Sequence, residues 1–436
     1  MTILPPHSAT PLSRAIALAA AALVAVLAVG EQAAAQRYKT DPVDSKLSRR
    51  GSIVKNVVKK GSASAEDAQL FTDYFDKYYF PAMTQADPYS LGDLGKLRAD
   101  LFRQFLAPAT PVFRKQLTDK AFAFANKVVR GNGYHRAVRF NGLLMLGSLT
   151  TDGVKPLPDA NAFLCKVSQA ASQKKVPAYM QAGALVALAT HAQQLDKLPA
   201  DQQTKTLIAL AAATAEDTFQ RDVDVSSRNW LRRSAAVSLA TGAKAVGKPQ
   251  AAASLADLLV DESLTLDTRA AIAASLQGLT LPNGEVAAKD MLALAKAAIE
   301  DEVEQALEFE EMQISSRSYS RNAAPIDSDR FRVNTEESRL EYIRRGLAAR
   351  LANLRKGLTA VAGAAGDQAD AVNTAAAAMQ RVVELATSTN AVDLDITAEI
   401  KAMKDAFEGA QGNNKPAADA APAEDEPEIE EGEQLF

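Results

Sequence analysis

The chain has 436 residues, 47% hydrophobic and 23% charged, which is enough for several ordinary domains or one extended array. Aromatics make up only 6%, and much of the apolar content is alanine, which favours closely packed helices over sheets. The net charge of −4 is mild, but it is unevenly placed: residues 416–436 carry −8, leaving +4 on the rest. One cysteine, Cys165, excludes an internal disulfide framework, so stability must come from packing.

The N-terminus has the pattern of a secretory signal. Arg14 closes a short polar region, and Ala15–Gly30 is an uncharged apolar run. Ala33-Ala34-Ala35 supplies the small residues that a signal peptidase prefers, which sets cleavage between Ala35 and Gln36. The alternative is an uncleaved anchor, although the run falls short of the roughly 20 residues a span needs. With residues 1–35 removed, no membrane span is expected. The mature protein is therefore expected to be periplasmic, envelope-associated or secreted. Residues 36–62 are polar and basic, and are read as a linker with a short helix near 52–59. Contact with an anionic surface is the other reading of those bases.

A helical domain is expected over 63–408. Its first pair, 63–107, starts at Ser64 with Glu66 and Asp67 behind it. Leu70, Phe71, Tyr74, Phe75, Tyr78 and Tyr79 recur at helical spacing. The stripe is read as the cover of one end of an array, with a ligand-stacking surface as the alternative.

Between 110 and 280 one pattern recurs four times: VRFNGLLMLGSL at 138–149, MQAGALVALATH at 180–191, LRRSAAVSLATG at 231–242 and TRAAIAASLQGL at 268–279. Aligned without gaps, these place Arg139, Gln181, Arg232 and Arg269 in one column and Leu146, Leu188, Leu239 and Leu276 in another. Val138, Met180, Leu231 and Thr268 lie four residues before Gly142, Ala184, Ala235 and Ile272, which lie four before the leucines. Steps of four keep one helix face, so this is the expected buried stripe. A neighbouring column, Asn141, Gly183, Ser234 and Ala271, is small and would let helices approach closely. Each repeat follows another amphipathic helix, near 111–130, 158–173, 201–216 and 249–262, with Gly and Pro turn signals between them, Gly242 included.

This pattern of arginine, small residues and leucine on the second helix of each pair resembles the HEAT-repeat family. The resemblance implies an all-α fold, an α-α superhelix of antiparallel helix pairs that binds partners. Such units usually carry an aspartate just ahead of the arginine, the two forming a ladder. Here only Asp267, ahead of Arg269, fits, and Gln181 replaces one arginine.

After Pro282, helices are expected over 285–408 with a loop at 313–334: an acidic stretch, 300–311, then a basic helix carrying Arg339, Arg344, Arg345, Arg350, Arg355 and Lys356. The acidic stretch is read as a solvated face or as the partner of that basic helix. Residues 409–436 lack apolar periodicity and should form a disordered acidic tail.

Catalytic patterns are missing from the sequence. The expected mature chain has two histidines, His135 and His191, in different repeats and read as exposed or capping. There is no Glu-x-x-His, no Cys/His cluster, no phosphate loop and no nucleophile elbow, so no metal, cofactor or enzymatic activity is expected. Cys165 is read as a buried, inert thiol. The leading expectation is an exported, non-enzymatic scaffold or adaptor that binds another protein, not nucleic acid. Its docking surface would be the second-helix face with Arg139, Arg232 and Arg269, unless those arginines are internal struts. The alternative is a ligand- or anion-binding envelope protein using Trp230, Arg232 and Arg233 or the 313–334 loop.

Overall fold

The computed structural model describes residues 38–60, 64–172, 175–215, 223–252, 254–279, 284–320, 335–388 and 393–412. The expected signal with its Ala35/Gln36 cleavage point lies outside these residues, as do residues 413–436 of the expected tail. The described chain is all-α. Its only β feature is an isolated bridge between Thr150 and Pro156. It divides into two compact units at 283/284, inside the region expected as one domain.

In the first unit, α1 (Gly51–Lys60) follows a 3-10 turn, Ser45–Arg50. Helix α2 runs from Ala65–Asp73 through a π turn, Tyr74–Tyr79, to Phe80–Ala82. Helix α3 is Pro88–Asp100 with a second π turn, Leu101–Leu106. Then follow α4 (Pro111–Arg130), α5 (Arg136–Ser148), α6 (Pro158–Ser172), α7 (Ala178–Ala192), α8 (Ala200–Ala212), α9 (Val225–Ala245), the short α10 (Ser254–Asp257) and α11 (Leu266–Ser275).

The starts of these helices are written in their caps. Ser64 accepts from the Asp67 N–H, Asp87 from Ser90, Asp224 from Ser227 and Thr265 from Thr268. Each satisfies an otherwise orphaned N–H and is worth about 1 kcal/mol. His135 also caps: its ring nitrogen accepts from the Ala137 N–H, as expected.

All four repeats fall on helices, and the stripe is buried. Leu146, Leu188, Leu239 and Leu276 are fully enclosed, with Val138, Met180, Leu231 and Thr268 nearly so. Helix α4 packs on α5, α6 on α7 and α8 on α9, while α5, α7, α9 and α11 pack on one another in that order. Small residues set the approach. A Cβ on Gly147 would lie 2.6 Å from the Ala187 Cα. Gly242 is no turn but part of α9, buried where a Cβ would meet Leu195 and Leu207. The helix expected near 249–262 is broken instead, a 3-10 turn (Pro249–Ala252) followed by α10.

The aromatic stripe faces inward. Phe71 and Phe75 are enclosed, and Phe75 meets Phe105 at a centroid distance of 5.3 Å while Phe80 stacks on Phe124 at 4.8 Å. Each such buried ring stabilises by about 2 kcal/mol. Phe71, Tyr74, Phe75 and Tyr79 of the stripe are core, while Leu70 and Tyr78 are half-buried.

The basic linker expected over 36–62 is ordered in its described part. The Lys39 N–H donates to the Gly133 carbonyl (2.8 Å), the Asp41 N–H to Thr84 Oγ1 (2.8 Å), and the Asp44 N–H to the Lys77 carbonyl (2.8 Å). Val54, Val57 and Val58 then bury one face of α1. Three valines hidden among lysines outweigh the polar composition.

The second unit comprises α12 (Gly284–Ser320), α13 (Thr335–Val361), α14 (Ala369–Thr387) and α15 (Asp393–Gly412). Its core includes Met291, Leu351, Leu354, Val372, Met379 and Met403. The loop expected at 313–334 starts later, because α12 continues to Ser320, and residues 321–334 lie outside the described residues. The expected pairing of acidic and basic helices is present: Arg350 contacts Asp301 (2.7 Å) and Glu302 (2.9 Å). Glu302 is buried there, not solvated.

Candidate functional site

The arginine column was the foremost candidate for docking, and the first two of its three arginines are enclosed. Arg139 lies on α5 at 8% exposure. Its Nε and one Nη donate to the Val129 carbonyl at 3.2 and 3.0 Å, in the last turn of α4. The other Nη donates to Tyr179 Oη at 2.8 Å, on the next repeat. Arg232 on α9 does the same work. Its Nε donates to the Thr214 carbonyl at 2.7 Å, just past α8, and one Nη to Ser263 Oγ at 2.7 Å. The other Nη is ion-paired with Asp261. Burial pushes the Asp261 carboxyl up, but hydrogen bonds from Ser263 and Arg232 outweigh it and hold the group below the usual carboxylate range.

Both guanidiniums thus satisfy orphan carbonyls at a helix C-terminus and tie that helix to the following repeat. They are internal struts, which removes Arg139 and Arg232 from any docking surface. The physical reason is that a buried guanidinium needs its donors paired. Gln181 occupies the same column, and its Nε2 is buried without a partner among the described residues. Arg269 is half-buried on α11, Trp230 is half-buried and Arg233 is exposed. Of the sequence candidates, only Trp230, Arg233 and Arg269 remain reachable. The face itself is closed along α7, where every residue from Met180 to Leu188 is buried.

A polar cluster that the sequence reading missed lies between α6, α7 and α8. Thr206 Oγ1 donates to Asn161 Oδ1 at 3.0 Å, and the Cys165 thiol lies 3.6 Å from Thr206 Oγ1. Asn161 Nδ2 is 3.2 Å from His191 Nδ1. An amide nitrogen only donates, so Nδ1 accepts and the ring carries its proton on Nε2. His191 is enclosed, at 1% exposure, which corrects its reading as exposed or capping. Cys165 is buried as expected, and burial pushes its thiol up, away from the reactive thiolate. No group of three or more potential metal ligands occurs among the described residues.

Burial pushes the His191 pKa from 6.5 down to about 4. The unfolded chain takes up a proton in that window and the folded chain does not. Stability from the neutral ring is therefore complete above pH 6.5 and is lost as pH falls toward 4. The expected loss is about 3 kcal/mol. Urea unfolding from neutral pH down to that lower limit should show this slope, and His191→Gln should flatten it. An unchanged slope in the variant would refute the assignment.

One open cleft of about 820 Å³ is present in the first unit. It is lined by Phe80, Pro81, Ala123, Phe124 and the Asp41–Asp44 segment. Lys120 pairs with Asp76 (2.7 Å) and Lys127 with Asp41 (2.8 Å) on its rim. Its lining comes from three separate stretches of chain, and no local motif marks it.

No protein-family model matches this chain, and no curated protein or solved structure matches it. Its described residues form an all-α protein of many packed helices. Among the described residues no helix is long and apolar enough to cross a membrane.

Proposed function

We propose that the chain is an exported, non-enzymatic scaffold or adaptor of the cell envelope, and that its first unit is a HEAT-like superhelix of antiparallel helix pairs. The observation that carries the repeat reading is the equivalence of Arg139 and Arg232. Each caps the first helix of its own pair and reaches into the next pair, as successive units of one array would require. The non-enzymatic reading is supported by the chemistry-bearing side chains. His191, Cys165, Arg139 and Arg232 are all enclosed in packing roles. The export reading rests on Ala15–Gly30 and the Ala33-Ala34-Ala35 triplet. Crosslinked pull-down of the tagged chain, expressed at native level, from the envelope fraction of its own cell tests the proposal. One stoichiometric protein partner is expected. Turnover of a defined substrate by the purified chain would defeat it.

A ligand-binding reading is favoured by the cleft over Phe80 and Phe124, not by the Trp230–Arg232–Arg233 trio, whose central member is buried. A thermal-shift screen with anions and envelope glycans distinguishes the two. A saturable shift supports the second reading, and no shift across the panel counts against it.

A further inference from the structure

A dense run of unpaired positive charge lies near the start of the first unit. The segment Ser45–Lys60 holds six Lys and Arg and no Asp or Glu. Lys55 is engaged with Gln104 and the Phe105 ring. The other five, Lys46, Arg49, Arg50, Lys59 and Lys60, are exposed, and no described carboxylate pairs with any of them. Lysines nearby behave differently: Lys77, Lys120 and Lys127 each hold an aspartate within 2.8 Å. The ridge is also held firmly, because Val54, Val57 and Val58 anchor the opposite face of α1 and the Val58 carbonyl accepts from the Thr110 N–H at 3.0 Å.

Between the two basic ends, the large apolar side chain of Ile53 is 39% exposed. Arg49, Ile53 and Lys60 recur at helical spacing on the flank of the helix beside the buried Val57. A large apolar side chain flanked by cations is the pattern of a helix that lies on a bilayer, the bases on phosphate headgroups and the apolar residue at the acyl boundary. A soluble polyanion would leave Ile53 without a partner.

We propose that the Ser45–Lys60 ridge docks the protein onto an anionic lipid surface. The inference goes beyond the scaffold reading and does not depend on it. It is tested by co-sedimenting the purified full chain with vesicles of phosphatidylcholine alone and of phosphatidylcholine mixed with phosphatidylglycerol, at low and raised salt. Binding is expected only to the anionic vesicles and should weaken with salt. Arg49→Glu/Arg50→Glu and Lys59→Glu/Lys60→Glu should each weaken it by at least about tenfold. Circular dichroism checks that each variant is folded, and the milder Lys59→Gln/Lys60→Gln should show a smaller loss in the same direction. Ile53→Ser should weaken vesicle binding severalfold while leaving retention on heparin unchanged. Three outcomes overturn the proposal. Undiminished binding in both charge-reversal pairs removes the ridge from the interaction. Equal binding to neutral vesicles assigns it to an apolar stretch such as Ala15–Gly30. Indifference to Ile53→Ser with strong heparin retention assigns the ridge to a soluble polyanion.

Discussion

Arg232→Met should lower the stability of the first unit by about 3 kcal/mol, the range expected when one member of a buried charge pair is removed. Methionine keeps the bulk of the arginine stem, so the loss isolates the guanidinium. Three connections disappear together: to the Thr214 carbonyl, to Ser263 and to Asp261. Lysine should not restore them, because a single ammonium does not reproduce the planar fork that reaches three acceptors from one position. Arg233→Ala is the control, since the exposed Arg233 should change stability by less than about 0.5 kcal/mol. Trp230, the chain's one tryptophan, sits two residues from Arg232 and reports the transition by fluorescence in urea. An Arg232→Met midpoint equal to that of the parent chain would show that the strut is dispensable.

Gly147→Val should cost more than about 3 kcal/mol and leave the first unit largely unfolded. At Gly142, Gly183 and Gly242 a new Cβ would first meet a side-chain methyl, which can turn away. At Gly147 it would meet the Ala187 Cα at 2.6 Å, so α5 and α7 would have to separate. The gain in helix propensity over glycine, about 1 kcal/mol, does not offset that. Gly346→Ala in α13 provides the contrast. That glycine is exposed with nothing within 4 Å of the added carbon, and the change should stabilise the second unit by about 0.5–1 kcal/mol. Thermal unfolding followed by circular dichroism measures both. A Gly147→Val protein that melts with the parent would show that α5 and α7 separate without cost.

Most helices were legible because their signals are local. Pro111, Pro158, Thr335 and the Ser64 cap start helices where the pattern begins, and the leucine column is buried because steps of four keep one face. Three features resisted local reading. The ordering of 38–60 depends on acceptors at Lys77, Thr84 and Gly133, distant in sequence. The acid that meets Arg232 is Asp261, from the next repeat, and not a residue just ahead of the arginine. The Asn161–Cys165–Thr206–His191 cluster draws on three helices, and its only sequence trace is a polar residue at each otherwise apolar helix position. The docking surface failed for a related reason. A recurring arginine looks the same in sequence whether it faces a partner or a neighbouring helix's carbonyls, and only the position of the preceding helix end decides which.

Helix α7 carries a last consequence, for the protein's tolerance of sequence change. Amphipathic helices such as α4 keep one side free to vary, so a map of permitted substitutions would show stripes there; α5 comes close to losing its free side, with only Leu144 not buried between Val138 and Gly147. From Met180 to Leu188 there is no free side. There the map should show a solid block of intolerance nine residues long, and drift through neutral variants would be confined to the helices around it.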